Sequence, residues 1–170
     1  MALYLIANGP MQTTASFAAV TTSTSIKTML QVKAGATTIL RVIEWGCSFD
    51  GSAAATPGIV ELIETDVAAT VTASVTADIT KLDPDAFAQG DPVTALIAVG
   101  TTSTGYTSTG EGSITAIRNL DGPQFIAPTT QFSKQIPLSR EAFIQPGKFG
   151  RIRVKFGTAV NCLCYMIVSV

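Results

Sequence analysis

The chain contains no histidine. That absence removes the imidazole base on which most serine and cysteine hydrolases rely, and the histidine-held metal of cupin-type β proteins. Charge is scarce too. Asp, Glu, Lys and Arg make up 14% of the 170 residues and nearly cancel to a formal net charge of −1, so no strong field exists to draw in nucleic acid or an anionic membrane. No apolar run approaches the ~20 residues that a membrane-spanning helix requires. The apolar start lacks the basic region of a secretory signal and stops at Asn8-Gly9-Pro10, which leads us to expect a mature N-terminus. Cysteines number three, with no CxxC spacing. Cys162 and Cys164, two apart on a predicted strand, share a face and are poorly placed to bond each other. All three are therefore expected to be reduced, small, buried apolar side chains, with no metal and no cofactor.

What is present is a surface dominated by Thr, Ser, Ala and Gly, which repels copies of itself weakly and suits a chain that assembles. Hydrophobic residues amount to 46%, enough for one domain of this length to bury a core without staples. The apolar period is two almost throughout. Ile26, Thr28, Leu30 and Val32 face one way, Lys27, Gln31 and Lys33 the other, with Met29 breaking the rule. "TTILRVIEWGCSFDG" predicts a strand with Ile39, Ile43, Trp45, Cys47 and Phe49 inward, ending at the Asp50-Gly51 turn. "GIVELIET" predicts a strand over 58–65. "VTASVTADIT" predicts another over 71–80, against a competing helix from Asp66 to Asp78 that its Val and Thr content disfavours. Residues 81–92 read as a loop with at most one helical turn from Pro84, and "PVTALIAVG" as a returning strand. "SITAIRNL", "QFIAP", "TQFSKQIPL", "FGRIRVKFG" and "NCLCYMIVSV" complete the set, with turns at Asp121-Gly122-Pro123, Ala127-Pro128 and Pro146-Gly147. This pattern predicts an all-β fold, an antiparallel β-sandwich of jelly-roll-like character. Residues 1–25 form an extended N-terminal arm or a first strand, and 26–170 the sandwich domain. An arm of that kind could lie on a neighbour by strand addition, and its removal should spare folding.

Few constellations could carry chemistry. "GTTSTGYTSTGEGS" (100–113) has the GxxxxG spacing of a phosphate loop, yet Tyr106 stands where the lysine is needed and the flanks read as strands. It is either a polar connection or a loop that orders against a neighbouring subunit with Tyr106 as its rigid anchor. Glu44, Glu61, Glu64, Asp66, Asp83, Asp85 and Asp91 offer no matched acid pair, since Glu61 and Glu64 have opposite parity on one strand. Asp83, Asp85 and Asp91 could hold calcium weakly, but without an EF-hand's glycine and closing glutamate a solvated turn is the better reading. Arg151, Arg153 and Lys155 alternate with Ile152, Val154 and Phe156. They are the wet side of a sheet or a docking face for an acidic protein surface, and too few for a nucleic-acid groove.

The phrases Glu44-Trp45-Gly46, Ser48-Phe49-Asp50-Gly51, Thr104-Gly105-Tyr106-Thr107, Pro137-Leu138-Ser139-Arg140-Glu141 and Asn161-Cys162-Leu163-Cys164 resemble those of small virion structural proteins in tailed phages of actinobacteria, from about residue 12 to the end. The resemblance implies a non-enzymatic decoration or cement protein of the head. It would be made in the host cytoplasm, bind the major capsid protein on the outside of the capsid, and form a homotrimer, with neither nucleic acid nor membrane as partner. Tyr106, Arg151, Arg153 and Lys155 are the expected capsid or subunit contacts. A tail or fibre module that binds host carbohydrate is the alternative, with Tyr4, Trp45, Tyr106 and Tyr165 as its available aromatics. A small enzyme is the least favoured class.

Overall fold

A computed structural model of the chain describes residues 2–11, 16–52, 54–83, 93–115 and 117–170. Its elements in chain order are β1 (Leu3–Ala7), β2 (Val20–Thr21), β3 (Lys27–Ala34), β4 (Leu40–Phe49), β5 (Gly58–Thr65), β6 (Thr70–Ala73) and β7 (Ile79–Lys81). There follow a single helical turn, α1 (Val93–Leu96), then β8 (Ile97–Ala98), β9 (Gly105–Gly110), β10 (Ile117–Ile126), β11 (Gln131–Gln135), β12 (Ala142–Ile144), β13 (Phe149–Lys155) and β14 (Asn161–Ser169). They make two antiparallel sheets. The first has the order β11-β4-β14-β1-β7, with β12 also on β4 and β2 on β14; the second runs β10-β5-β13-β3-β9-β6, with β8 on β3. The chain is an all-β sandwich. Among the described residues no helix is long and apolar enough to cross a membrane.

The core follows from strand parity. In β14 the even residues Cys162, Cys164, Met166 and Val168 are buried while Leu163, Tyr165 and Ile167 remain half-exposed, the alternation of a sheet with one face on the core. They meet Tyr4 and Ile6 of β1, Trp45 and Cys47 of β4, and Leu30, Val60, Leu62, Ile152 and Val154 of the second sheet in one cluster. Phe49 and Phe156 close one part of it edge-to-face, with ring centroids 4.8 Å apart.

Bulges decide where simple parity fails. Between β3 and β13 the register steps from Leu30↔Ile152 to Thr28↔Arg153, leaving Met29 as an extra residue in β3. The bulge lets Met29 join the core beside Leu30. In β4 the partners step from Ile167↔Glu44 to Val168↔Val42, again with one residue to spare. Inward positions therefore run Leu40, Val42, then Trp45, Cys47, Phe49. Ile39 is exposed and Ile43 half-buried, contrary to the single register that the pattern predicts.

Other expectations are corrected in the same physical terms. The 71–80 run is not one strand: β6 lies in the second sheet and β7 in the first, with a 3₁₀ turn at Thr76–Asp78 between them. Asp78 makes the break, its carboxylate accepting the backbone N–H of Val75 (2.8 Å) and of Met11 (2.9 Å). Asp121-Gly122-Pro123 is not a turn but the bulged middle of β10, which pairs with β5 on both sides of it. Pro123 is tolerated because β10 is an edge strand. The returning strand near 93–99 reduces to α1 and the two residues of β8. The calcium candidates Asp85 and Asp91 and the turn from Pro84 lie outside the described residues; Asp83 accepts the Leu3 N–H at 2.7 Å.

The N-terminus is a first strand in its residues 3–7 and not an arm. β1 lies inside the first sheet, paired with β14 along its whole length and with β7 on its other side. Tyr4 and Ile6 are fully buried there. Asn8 continues the join, its side chain bonding both Cys162 O (3.0 Å) and Cys164 N (2.9 Å). Deletion of residues 1–9 is expected to abolish cooperative unfolding by denaturant and yield aggregating material, the reverse of a dispensable arm; a soluble truncation with an unchanged urea midpoint would contradict this placement.

Candidate interaction surface

The phosphate-loop-like segment is built into the second sheet. Gly100 has φ +136°, a backbone conformation closed to most side chains, and opens a turn in which Ser103 N donates to Gly100 O. Gly105 begins β9 where a Cβ would lie 2.3 Å from Thr72 O, so glycine is needed for β6 to approach. Both glycines thus serve the sheet. Tyr106 is half-buried between Leu30 and Thr72 in the ladder, on an inner strand and not on an adaptable loop.

The three cations of β13 have three different fates. Arg151 is completely buried, a correction to its expected place on a solvent-facing or docking surface. Residues 66–69 and Glu111 cover that face of the sheet: the guanidinium donates to Gln31 Oε1 (3.0 Å), Val67 O (2.6 Å), Glu111 O (3.1 Å) and Glu111 Oε2 (3.3 Å). Gln31 in turn holds Ser103 O and the Ala69 N–H. Glu111 accepts from Thr28 N (2.6 Å), Thr28 Oγ1 (2.6 Å) and Ser108 Oγ. Burial pulls Arg151 below the usual guanidinium range, while the Glu111 carboxylate pulls it back. Arg153 is half-buried and donates through Nε to Glu61 Oε1 at 2.7 Å. Lys155 is exposed.

The side of the sandwich formed by β10 and by β11 with β12 is different in character. These strands are the outer edges of the two sheets: among the described residues β10 pairs only with β5, and β11 and β12 only with β4. Polar bonds knit the edges together. Asp121 accepts from Trp45 Nε1 (3.0 Å) and Lys134 Nζ (2.7 Å), Arg118 pairs with Glu64 (2.9 Å) and donates to Phe143 O, and Glu64 also takes the Gln145 N–H (2.7 Å). Between these bonds apolar side chains stand in solvent: Phe125 at 80% exposure, Leu138 at 75%, and Ile117 and Phe143 less so. At the other side the edge strands β6 and β7 are only four and three residues long. Short edges offer little to a partner, whereas a ten-residue edge with exposed aromatic and aliphatic side chains is the usual mark of an association surface.

Two further features stand apart. On the outer face of the first sheet a cleft of about 330 Å³ is lined by Ala7, Phe17, Ser48, Phe132, Leu163 and Tyr165 among others. Tyr165 donates its hydroxyl to Glu44, and partial burial followed by that carboxylate pushes its phenol up to about 12. Inside the sandwich, Cys47 lies directly across from Cys164, and Cys162 completes a group whose sulfurs all lie within 4.8 Å of one another. All three are buried free thiols. Burial pushes Cys47 and Cys164 up, while hydrogen bonds from those two thiols lower Cys162. The sequence shows only the Cys162–Cys164 spacing; the pairing of β4 with β14 adds the distant Cys47.

Comparison with protein-family models, with curated proteins and with solved structures finds no match to this chain.

Arg151→Ala is expected to cost about 3–5 kcal/mol, because buried Gln31 and half-buried Glu111 lose their cationic partner and a cavity is left in its place. Lys155→Ala is expected to stay within about 0.5 kcal/mol; urea denaturation of the two variants measures both, and equal costs would contradict the burial of Arg151. For Tyr165, the folded state favours the neutral phenol, a preference complete below the ordinary value of 10 and lost as pH rises through about 12. Alkaline difference absorbance should show a phenolate transition near that upper pH which Tyr165→Phe removes.

Proposed function

We propose that this chain is a virion structural protein of a tailed phage, a decoration or cement protein that holds the outside of the head together and acts by adhesion, with no turnover of substrate. The observation that carries the reading is the association side just described, where a long edge strand and exposed Phe125, Leu138 and Ile117 sit on a protein of very low charge. A cement protein must bridge shell subunits against the pressure of packaged DNA through many modest contacts, each of standard interface size. A rigid two-sheet body with one adhesive side meets that need, and self-association into a trimer would multiply the weak contacts. The major capsid protein is the proposed partner and the capsid exterior the proposed location. The four expected contact residues give way to this side: Arg151 is enclosed, Tyr106 and Arg153 are engaged within the sheet, and Lys155 remains as a peripheral charge. The carbohydrate-binding alternative loses Tyr4 and Trp45 as a sugar platform, since both are fully buried.

The test uses heads lacking the protein and purified full-length chain. Phe125→Asp and Leu138→Asp should each leave the unfolding midpoint within about 0.5 kcal/mol, as surface changes do, and should abolish co-sedimentation with the heads. Binding that survives both substitutions, or a wild-type chain that never associates with heads, would overturn the proposal.

A further inference from the structure

The three thiols are enclosed in the sandwich and take no part in the bonds along its edge, yet they converge from two strands, β4 and β14. Their sulfurs fall within 4.8 Å of one another. Around one ion with metal–sulfur bonds of about 2.3 Å, three sulfurs in a trigonal plane would be about 4 Å apart, so the group needs little adjustment to close on an ion. The donor set selects the ion. Structural zinc takes four ligands almost without exception, and catalytic zinc replaces the fourth with water. Here the chain has only three cysteines and no histidine, the group includes no carboxylate among the described residues, and the sulfurs are enclosed between the sheets, with Cys47, Cys162 and Cys164 at most 3% exposed. Neither zinc arrangement is met. Soft, polarisable thiolate sulfur selects Cu(I) among the remaining first-row ions.

We propose that Cys47, Cys162 and Cys164 form a three-coordinate, all-sulfur site for Cu(I). The ligands are thiolates, so uptake displaces their protons, Cu⁺ + 3 RSH giving [Cu(SR)₃]²⁻ + 3 H⁺. A divalent ion of the zinc kind would still lack a fourth donor. No redox step is involved. The outer cleft of the first sheet is lined in part by Cys47 and Cys164, and β2, whose two residues pair with Asn161 and Cys162, forms one of the smallest ladders in the fold. So short an element opens more readily than the core strands beneath it.

The experiment titrates the reduced, full-length protein under anaerobic conditions with Cu(I) supplied from a chromogenic Cu(I) chelator. The expected result is uptake of one Cu(I) per chain, a near-ultraviolet sulfur-to-copper charge-transfer band, release of protons as the thiols ionise on binding, and a rise in the thermal midpoint. Cys47→Ala and Cys162→Ala, each removing a ligand, should weaken binding by more than the roughly 10–100-fold that loss of an outer partner costs at a metal site. If an alanine variant does not fold, mass spectrometry decides: Cu(I) should protect all three wild-type thiols from a maleimide at a temperature where the metal-free thiols react. Failure of the wild type to take Cu(I) from the chelator, alanine variants that bind as tightly, or Zn²⁺ taking the site in preference to Cu(I) would each overturn the proposal. None of these outcomes depends on attachment to a phage head.

Discussion

A guanidinium shut away from water must be matched by fixed acceptors, and that requirement at Arg151 organises the second sheet. The group sits on β13, the central strand between β5 and β3, and reaches acceptors contributed by β3, by residues 66–69 and by Glu111. Because those segments lead into β6 and out of β9, the same contacts fix the outer strands that the ladder holds only through short, irregular pairings. Gln31 and Glu111 each serve several donors or acceptors, so the network is satisfied as a unit. It covers the outer face of the sheet, which explains why β13 and β3 are buried on both sides.

With that face closed and the other face packed on the first sheet, the places left for association are the edges and the outer face of the first sheet. Nature of the edge then matters. The two bulges and Pro123 interrupt the free margin of β10 in its middle, a device that discourages uncontrolled strand pairing. A contact on this margin would then be made by side chains such as Phe125 at one end and Ile117 at the other. The arrangement favours a specific protein contact over open-ended sheet growth.

Much of the architecture was legible in the alternation of apolar residues. The 58–65 strand coincides with β5, and the patterns of the last two strands with β13 and β14, because each is a regular strand whose inner face meets the core. Parity misled where a bulge inserted a residue, at Met29 and between Val42 and Trp45, since nothing local marks such an insertion. It also misled at Arg151: an alternating cation looks solvated until a distant segment folds over it, and Val67 and Glu111 are far away in sequence. The thiol group was hidden for the same reason, Cys47 being brought to Cys164 by sheet register alone. The edge side was overlooked because Asp121-Gly122-Pro123 reads as a turn and splits β10 into two apparent strands.

The placement of β1 has a bearing on how the chain reaches this state. Leu3 lies opposite Ser169, so the β1–β14 ladder joins segments at very wide sequence separation, while β7 offers β1 a nearer partner. Closing so large a loop is slow relative to local contacts. Until β14 is in place, Tyr4 and Ile6 lack the strand that seals them into the core, which leaves them a target for whatever shields apolar strands in the cell.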